Sequence, residues 1–468
     1  MRLILAIVLG GLLAALGACT PSVDPIIATD PPRRIVLVTI DTLRADHLES
    51  YGYPRDTAPF LTELARSGVV FANAFTASSH TAPSHASLFT SLFPFQHGLL
   101  RNGEHLDRDL DTLAERLRDE GYTTAAFASV RFLRGTSDGF ATVDAEEEME
   151  GFYRTGAKTI ARAIKWVTER TPDERFLLWV HLYDVHQWEG KRGEYKQSRA
   201  LVASQSTWPR QRLAAFLQRR HGTDRQYFRQ RRENMMDEID EYDGRIRYVD
   251  DQLRRLYDTL RSRALPGEEL WIVTADHGEG LGSHSFGGHG RYLHREQLRV
   301  PLIVHFSDKR YARREVDSLV RHVDIQPTIL DLVSGPTGKA VRAGEGYSLL
   351  PLLRSTAETF PVTVSFAQRR PLDRARRRQG WSEGEVYSVH DLRFKYIYRS
   401  TADHEFYNLR KDPLEANNLV ADSNPAKDRL AEHLEARYLS APELAGEQPP
   451  ERIAPQHLAE LRALGYID

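Results

Sequence analysis

The chain of 468 residues holds a single cysteine, Cys19. That excludes an intramolecular disulfide and a cysteine-based zinc knuckle. It also lacks an excess of either charge: 63 Lys and Arg stand against 65 Asp and Glu, a formal net charge of −2. Bulk charge therefore points to no nucleic-acid partner. Internal repeats and long low-complexity tracts are missing too. What is present is ordinary for a folded protein, 41% hydrophobic and 27% charged, which rules out a largely disordered chain. At ~150 residues per domain the length allows about three domains, but α/β enzymes often run larger as one unit. Histidine is abundant, at 18 residues, and seven of these fall in three short clusters.

The apolar run Leu3 to Leu16 has 14 residues, short of the ~20 that a relaxed bilayer span needs. A basic start at Arg2, an apolar middle and small residues at the end read as a secretory signal. Leu16-Gly17-Ala18-Cys19 resembles a bacterial lipobox. That resemblance implies a signal peptide over 1–18, lipid on the Cys19 sulfur, and a body exported to the cell envelope, facing the periplasm or held at the outer membrane. An incidental cysteine is the alternative. Residues 19–33 are proline-bearing and suit a short extended tether. A body of this size needs no disulfide staples.

Three continuous apolar runs end in chemistry. Ile35 to Ile40 ends at Asp41, Phe176 to Val180 runs into the segment His181 to His186, and Leu270 to Thr274 ends at Asp276-His277-Gly278. Such runs suit strands covered on both faces. Tyr122 to Ala128 and Val300 to Phe306 are further strand candidates. Helical patterns lie between, over Thr57 to Ser67, Leu110 to Glu120 and Arg247 to Ser262. The alternation predicts an α/β fold with a doubly wound, mainly parallel sheet. In such sheets the site lies off the carboxyl ends of the strands. Residues 34–345 form the expected catalytic domain, and 346–468 a smaller C-terminal α+β subdomain.

Two stretches break the charge balance. Lys191 to Arg232 carries 12 basic and two acidic residues, a local +10, and Ala367 to Gly380 carries six Arg and one Asp. The first reads as a basic helical insertion and the second as a surface loop, both solvated. The functional alternative is an electropositive rim that steers an anionic substrate or meets anionic lipid head groups.

The segment Ser79 to Leu88 reads as a loop entering a helix. Pro83 fits the first turn, where its missing N–H costs nothing. Thr81 falls at or next to the N-cap, so its hydroxyl meets the positive end of the helix dipole, which favours an alkoxide and anion binding. A plain capping threonine is the bland reading.

The run TAPSHASLFTSLFPFQHG from Thr81 resembles the active-site helix of the sulfatase and alkaline-phosphatase superfamily. TIDTLRADHLESYGYPRDTAPFLTELARSGVVFANAF from Thr39, YDGRIRYVDDQLRRL from Tyr242, TADHGEGLGSH from Thr274 and RVPLIV from Arg299 resemble further motifs in the same order. SVHDLRFKYIY from Ser388, EFYNLRKDPLEANNL from Glu405 and LRALGY from Leu461 are similar to the C-terminal subdomain. The resemblance implies an alkaline-phosphatase-like fold and one divalent metal ion (Ca, Mg, Mn or Zn) held by Asp41, Asp276 and His277, with the Thr81 oxygen as ligand or neighbour. Carboxylates with one imidazole suit such an ion. Taken alone, Asp276-His277-Gly278 also reads as a loop turn.

The chain departs from the family pattern at several positions. Threonine replaces the Cys or Ser from which formylglycine is made, so no formylglycine is expected: oxidising its β-carbon yields a ketone. The family's Arg four residues on is His85. Ser129 and Arg131 replace a Lys-x-His, and His289 stands where a Lys is usual. Threonine with histidine resembles the phospho-transfer branches, so phosphorus is favoured over sulfur. The expected reaction is metal-dependent cleavage of phosphate (di)ester or phosphonate ester bonds through a covalent Thr81 intermediate. His186 and His289 are the expected catalytic partners, and His85, His186, His289 and Arg131 the expected substrate contacts. Asp184 and His284 could support a second ion, but the usual Asp-x-x-x-His ligand spacing is missing, since Asp184 and His186 are only two apart, so one ion is expected. The substrate is expected to be a small anionic ester, a glycan or a lipid head group. The alternatives are a sulfuric ester hydrolase and an inactive lipoprotein that binds an anionic ligand through the basic insertion.

Overall fold

The computed structural model describes residues 30–145, 153–186, 195–263, 267–334, 342–354, 360–371 and 384–439. The lipobox-like Cys19, most of the tether, residues 191–194 of the basic insertion, residues 372–380 of the arginine-rich stretch and LRALGY lie outside the described residues.

The fold centres on a nine-stranded sheet: β1 (Arg34–Ile40), β2 (Val69–Phe75), β3 (Thr123–Ala128), β4 (Thr142–Asp144), β5 (Phe176–Leu182), β6 (Glu269–Ala275), β7 (Arg299–Val300), β8 (Leu302–Phe306) and β9 (Arg314–Arg321). The order is β4-β3-β5-β1-β6-β8-β2-β7, with β9 beside β2. The pairs along β4-β3-β5-β1-β6 are parallel, as is β2–β9; β8 runs antiparallel to β6 and to β2. The expected α/β architecture is present, with antiparallel pairs inserted beyond β6.

β1 lies between β5 and β6 with no offset: Arg34 pairs with Phe176 and Glu269, and Ile40 with Leu182 and Ala275. Its seven residues are all buried, which explains why Ile35 to Val38 run apolar without alternating, while Arg34 is paired with Glu269 and the Thr39 hydroxyl is hydrogen-bonded. Each such Val, Leu or Ile removed from water contributes roughly 1.5–3 kcal/mol before entropy is charged. Trp179 on β5 and Trp271 on β6 are wholly buried and form the bulk of the central layer. The 28-residue helix Met235–Ser262 packs against the helices Pro59–Arg66 and Gly156–Thr168. It begins twelve residues before the expected Arg247, because Asn234 caps it by accepting from Met236 N and Asp237 and Glu238 complement its first turn.

The basic insertion is helical where described, over Lys196–Gln205, Arg210–Arg220 and Arg225–Gln230. Beyond the main sheet, the hairpin of β10 (Arg342–Ala343) and β11 (Gly346–Tyr347) precedes an antiparallel sheet of β12 (Ser365–Arg369), β13 (Val386–His390), β14 (Phe394–Arg399) and β15 (Glu405–Asn408). The helix Pro425–Leu434 covers this sheet and buries Leu430 and Leu434 against Phe394 and Phe406. Arg369 and Arg370, read from the sequence as part of a surface loop, are buried at β12 and just after it.

Candidate active site

Because β1, β5 and β6 are in register, the residues that follow them leave the sheet at one level. Asp41 follows β1, and its N–H donates to Leu182 O of β5 at 2.9 Å. Asp276 and His277 follow β6. Asp276 Oδ1 accepts from Thr42 N at 3.1 Å and from His277 N at 2.8 Å, so one carboxylate oxygen is fixed by two amides. Thr81 is the first residue of the helix Thr81–Thr90, behind the N-cap His80. Its Oγ1 lies 3.5 Å from Asp41 Oδ2 and 3.3 Å from His277 Nε2. All four side chains are buried. Gly278 makes the turn out of β6 possible, since a Cβ there would meet Glu296 O at 2.0 Å.

Asp41 Oδ1 and Asp276 Oδ2 are buried without a hydrogen-bond partner. Burial and the repulsion of Asp276 hold the Asp41 carboxyl well above its ordinary range. Burial opposes the Asp276 charge as well, but the charge of His277 and the bond from its backbone N–H outweigh it and hold that group below its ordinary range. His277 donates Nδ1–H to Gly278 O at 2.9 Å, which turns Nε2 toward Thr81 and Asp276; Asp276 and Asp41 raise this ring's pKa against its burial, so Nε2 holds a proton that a bound cation would replace. Two orphaned carboxylate oxygens, one imidazole nitrogen and one hydroxyl within reach of one another fit a divalent cation, and leaving the carboxylate oxygens unpaired in the interior is costly.

His181 is a member of this centre that the sequence reading passed over. A hydroxyl offers one proton and two lone pairs. Thr39 Oγ1 meets three groups: Trp179 Nε1 at 3.0 Å, His85 Nε2 at 2.9 Å and His181 Nδ1 at 3.1 Å. Trp179 can only donate. His85 Nδ1 lies 2.8 Å from Thr81 O, which can only accept, so that nitrogen carries the proton of the neutral ring. His85 Nε2 then accepts from Thr39, and His181 Nδ1 donates to it. Burial keeps both rings neutral, pulling His85 to about 3 and His181 to about 4. His181 Nε2 is left with a bare lone pair, buried, 3.5 Å from Asp41 Oδ2 and without a hydrogen-bond partner. The same wiring corrects the expectation for His85. Both of its nitrogens are committed inside the protein, so it holds Thr39 and the Thr81 turn instead of reaching a substrate.

The structure brings His186 and His289 together. Their ring centroids are 4.9 Å apart, and His289 lies 4.5 Å from His277. His186 stacks on Tyr183, and His289 Nδ1 sits 3.3 Å from Glu279 Oε2. Burial pushes Glu279 up to about 7, partly countered by His186 and His277. Arg131 opens the turn that leaves β3 and is half-buried. Asp184 and His284 do not meet. Asp184 Oδ1 accepts from Tyr153 Oη at 2.6 Å, Tyr195 Oη at 3.1 Å and Gly156 N at 3.0 Å, which ties down the start of the helix Gly156–Thr168. His284 Nδ1 pairs with Glu296 Oε1 at 2.9 Å and its ring stacks on His294 at 3.8 Å.

The family model described as Sulfatase matches residues 33–335. The chain belongs to the sulfatase family. A second model, N-sulphoglucosamine sulphohydrolase, C-terminal, matches residues 282–441 of this sulfatase-family hydrolase. Among curated relatives, the multifunctional alkaline phosphatase superfamily protein PehA of Trinickia caryophylli is 26% identical over 87% of this chain and 95% of its own length. The choline-sulfatase of Rhizobium meliloti is 23% identical over 80% of this chain and 79% of its own. The crystal structure of the phosphonate monoester hydrolase of Agrobacterium radiobacter superposes with a TM-score of 0.66 at 20% identity, covering 86% of this chain and 94% of that one. At that identity the likeness establishes the fold, which is the alkaline-phosphatase-like one expected.

Proposed function

We propose that this chain cleaves phosphate diester or phosphonate ester bonds through a covalent ester on Thr81. The observation that carries the reading is the Thr81 hydroxyl, held at a helix start between Asp41 Oδ2 and His277 Nε2. Asp41, Asp276, His277 and the Thr81 oxygen are the groups that would hold a divalent cation, with His181 Nε2 beside them. Such an ion supplies Lewis acidity and a lowered hydroxyl pKa. Thr81 Oγ1 gives its proton to Asp41 Oδ2, the acceptor 3.5 Å away, and attacks the central phosphorus; the bond to the leaving alcohol breaks, and its electron pair stays on the alcohol oxygen. His186 or His289 delivers the proton, with the Glu279 carboxyl orienting His289. Water or a second hydroxyl then attacks the same centre and frees Thr81. The methyl group on the threonine β-carbon supports a hydroxyl nucleophile and argues against a formylglycine hydrate.

The phospho reading draws on Thr81 with His289 and on the relative PehA. A sulfuric ester substrate is the second reading, favoured by the sulphohydrolase model over residues 282–441 and by the choline-sulfatase relative. Matched aryl phosphodiesters, phosphonates and sulfates, assayed with the metal-loaded protein, separate the two by kcat/KM. Thr81→Ala should lose at least roughly 1,000-fold in kcat, and the labelled acid group should appear on the Thr81 peptide of the wild type during turnover. A variant at full rate refutes the nucleophile.

For location, we propose export and lipid attachment at Cys19. Mass spectrometry of the amino-terminal peptide from membranes should show a diacylglyceryl cysteine. An intact, unprocessed leader refutes it.

A further inference from the structure

Away from the residues around Thr81, a cavity of about 700 Å³ opens where the helix Arg210–Arg220, the loop tip Ser283–Ser285 and the segment 413–416 meet. None of Asp41, Thr81, His186, Asp276, His277 or His289 lines it. Its walls come from five separate parts of the chain, the segments 44–52 and 295–299 closing it on the other sides. After the helix, Gly222 turns with φ +66° and lays the insertion on Leu414, which a Cβ at Gly222 would meet at 3.6 Å.

The charges on these walls are unequally satisfied. Every carboxylate is taken. Asp46 is gripped by Arg44 through both oxygens, at 2.7 and 2.9 Å. Asp224 caps Gln226 N and accepts from Ser285 Oγ. Glu296 pairs with His284. Three guanidinium groups facing the same space, those of Arg219, Arg220 and Arg295, form no ion pair among the described residues. Arg219 and Arg220 are exposed at the end of their helix. Arg295 is half-buried beside Arg299, whose own guanidinium is spent on Ala72 O. Burial, with the like charge of Arg299, brings Arg295 down to about 10, against a smaller opposing pull from Glu415 and Asp46. A half-buried guanidinium that no carboxylate meets in an ion pair is costly, and an anionic ligand relieves it.

We propose that this cavity is a second anion-binding site, which takes a sugar-sized or similar ligand carrying two or more sulfate or phosphate groups. Its volume is that of a pocket for a whole small molecule, larger than one oxyanion requires. Three forked donors match tetrahedral oxyanions in pairs of hydrogen bonds. The basic insertion thereby gains a specific role: its Arg219 and Arg220 form one wall of a receptor. The site stands whichever ester Thr81 cleaves.

The test is calorimetric titration of the full chain with sucrose octasulfate and with inositol hexakisphosphate at fixed ionic strength, with sucrose as the neutral control. The two polyanions separate sulfate carriers from phosphate carriers. The wild type should bind at least one of them, and not sucrose. Arg219→Gln/Arg220→Gln should weaken that binding roughly 5- to 10-fold, and adding Arg295→Gln should bring the loss to roughly 30-fold or more. Each variant should keep kcat/KM for a small aryl ester within about twofold, since none of the three residues meets the centre at Thr81. The exposed double variant keeps the test open if the triple variant folds poorly. Equal binding by wild type and double variant overturns the proposal, as does a wild type that binds neither polyanion more tightly than sucrose.

Discussion

Replacing His181 by alanine should weaken divalent-metal binding while leaving the fold intact. In the protein the imidazole is wholly buried, donates to Thr39 Oγ1 through Nδ1, and presents Nε2 at 3.5 Å from Asp41 Oδ2. Without a cation, His181 Nε2 has no partner there; with one, it gains a ligand's role. Losing such an inner- or outer-shell group costs about 10- to 100-fold in metal affinity, or roughly 1.4–2.7 kcal/mol. Thr39 keeps its bonds to Trp179 and His85, so the strand ends stay tied. Manganese affinity, measured by competition with a chelator, reads the loss. X-ray absorption of the zinc-loaded protein should count two imidazoles in the wild type and one in the variant. An unchanged affinity together with a single imidazole in the wild type would show that the proton wiring through Thr39 is wrong.

Other perturbations follow from the same networks. Asp243 is wholly buried and accepts from His47 Nδ1 at 2.8 Å, Tyr53 Oη at 2.7 Å and Arg55 Nη1 at 2.8 Å, so Asp243→Ala should cost about 3–5 kcal/mol in denaturant unfolding; a loss under ~1 kcal/mol contradicts this. Gly278→Ala should reduce metal loading more than it lowers Tm, because the Cβ would collide with Glu296 O beside the ligand His277; full loading rules out that steric account. Burial alone would pull His284 down, but Glu296 outweighs it and lifts the ring to about 9, from 6.5 in the unfolded chain. A raised pKa stabilises fully below 6.5 and is lost as pH climbs through 9, so the wild type should lose up to about 3 kcal/mol over that window that His284→Gln does not. Parallel pH–stability curves for the two proteins would remove the pair from the account.

Much of the centre was legible because the strands that carry it are buried on both faces. A continuous apolar run such as Ile35 to Ile40 has one natural end, and the first polar residue beyond it, Asp41, is the residue placed at the sheet edge. The same reasoning located Asp276 and His277 past β6 and the histidines past β5. It put His181 at the end of the run Phe176 to Val180 but gave it no role, because the strand continues through Leu182 and His181 lies inside β5. Its role depends on the pairing of Thr39 with His181 across β1 and β5, and register between distant strands is not written in either one alone. The direction of β8 was equally unreadable: Val300 to Phe306 has the composition of a buried strand whichever way it runs. His85 was misread for a related reason. Four residues after Thr81 it shares that residue's helix face, but the whole helix Thr81–Thr90 is buried, so a shared face leads into the sheet as well as toward the site.

This buried helix start also explains why the nucleophile depends on residues that never reach a substrate. Thr81 is aligned by its backbone as much as by its hydroxyl partners. Its carbonyl accepts from His85 Nδ1, and Asn102 Oδ1 accepts from Ala82 N at 2.8 Å. Ser84, one turn into the helix, donates to Asp276 O at 2.6 Å and so joins the threonine helix directly to the metal-side strand end. A displacement of either element moves both carboxylate and hydroxyl together, which keeps their separation fixed while the pair shifts. Ser84→Ala should therefore lower kcat with little effect on Thr81-independent properties such as Tm, because it cuts the link between the two halves without opening a cavity. Loss of one such buried hydrogen bond costs about 0.5–1.5 kcal/mol in stability, whereas loosening the reacting groups by ~1 Å costs on the order of 100-fold in rate. A variant with wild-type kcat would show that the helix and β6 are held in place by packing alone.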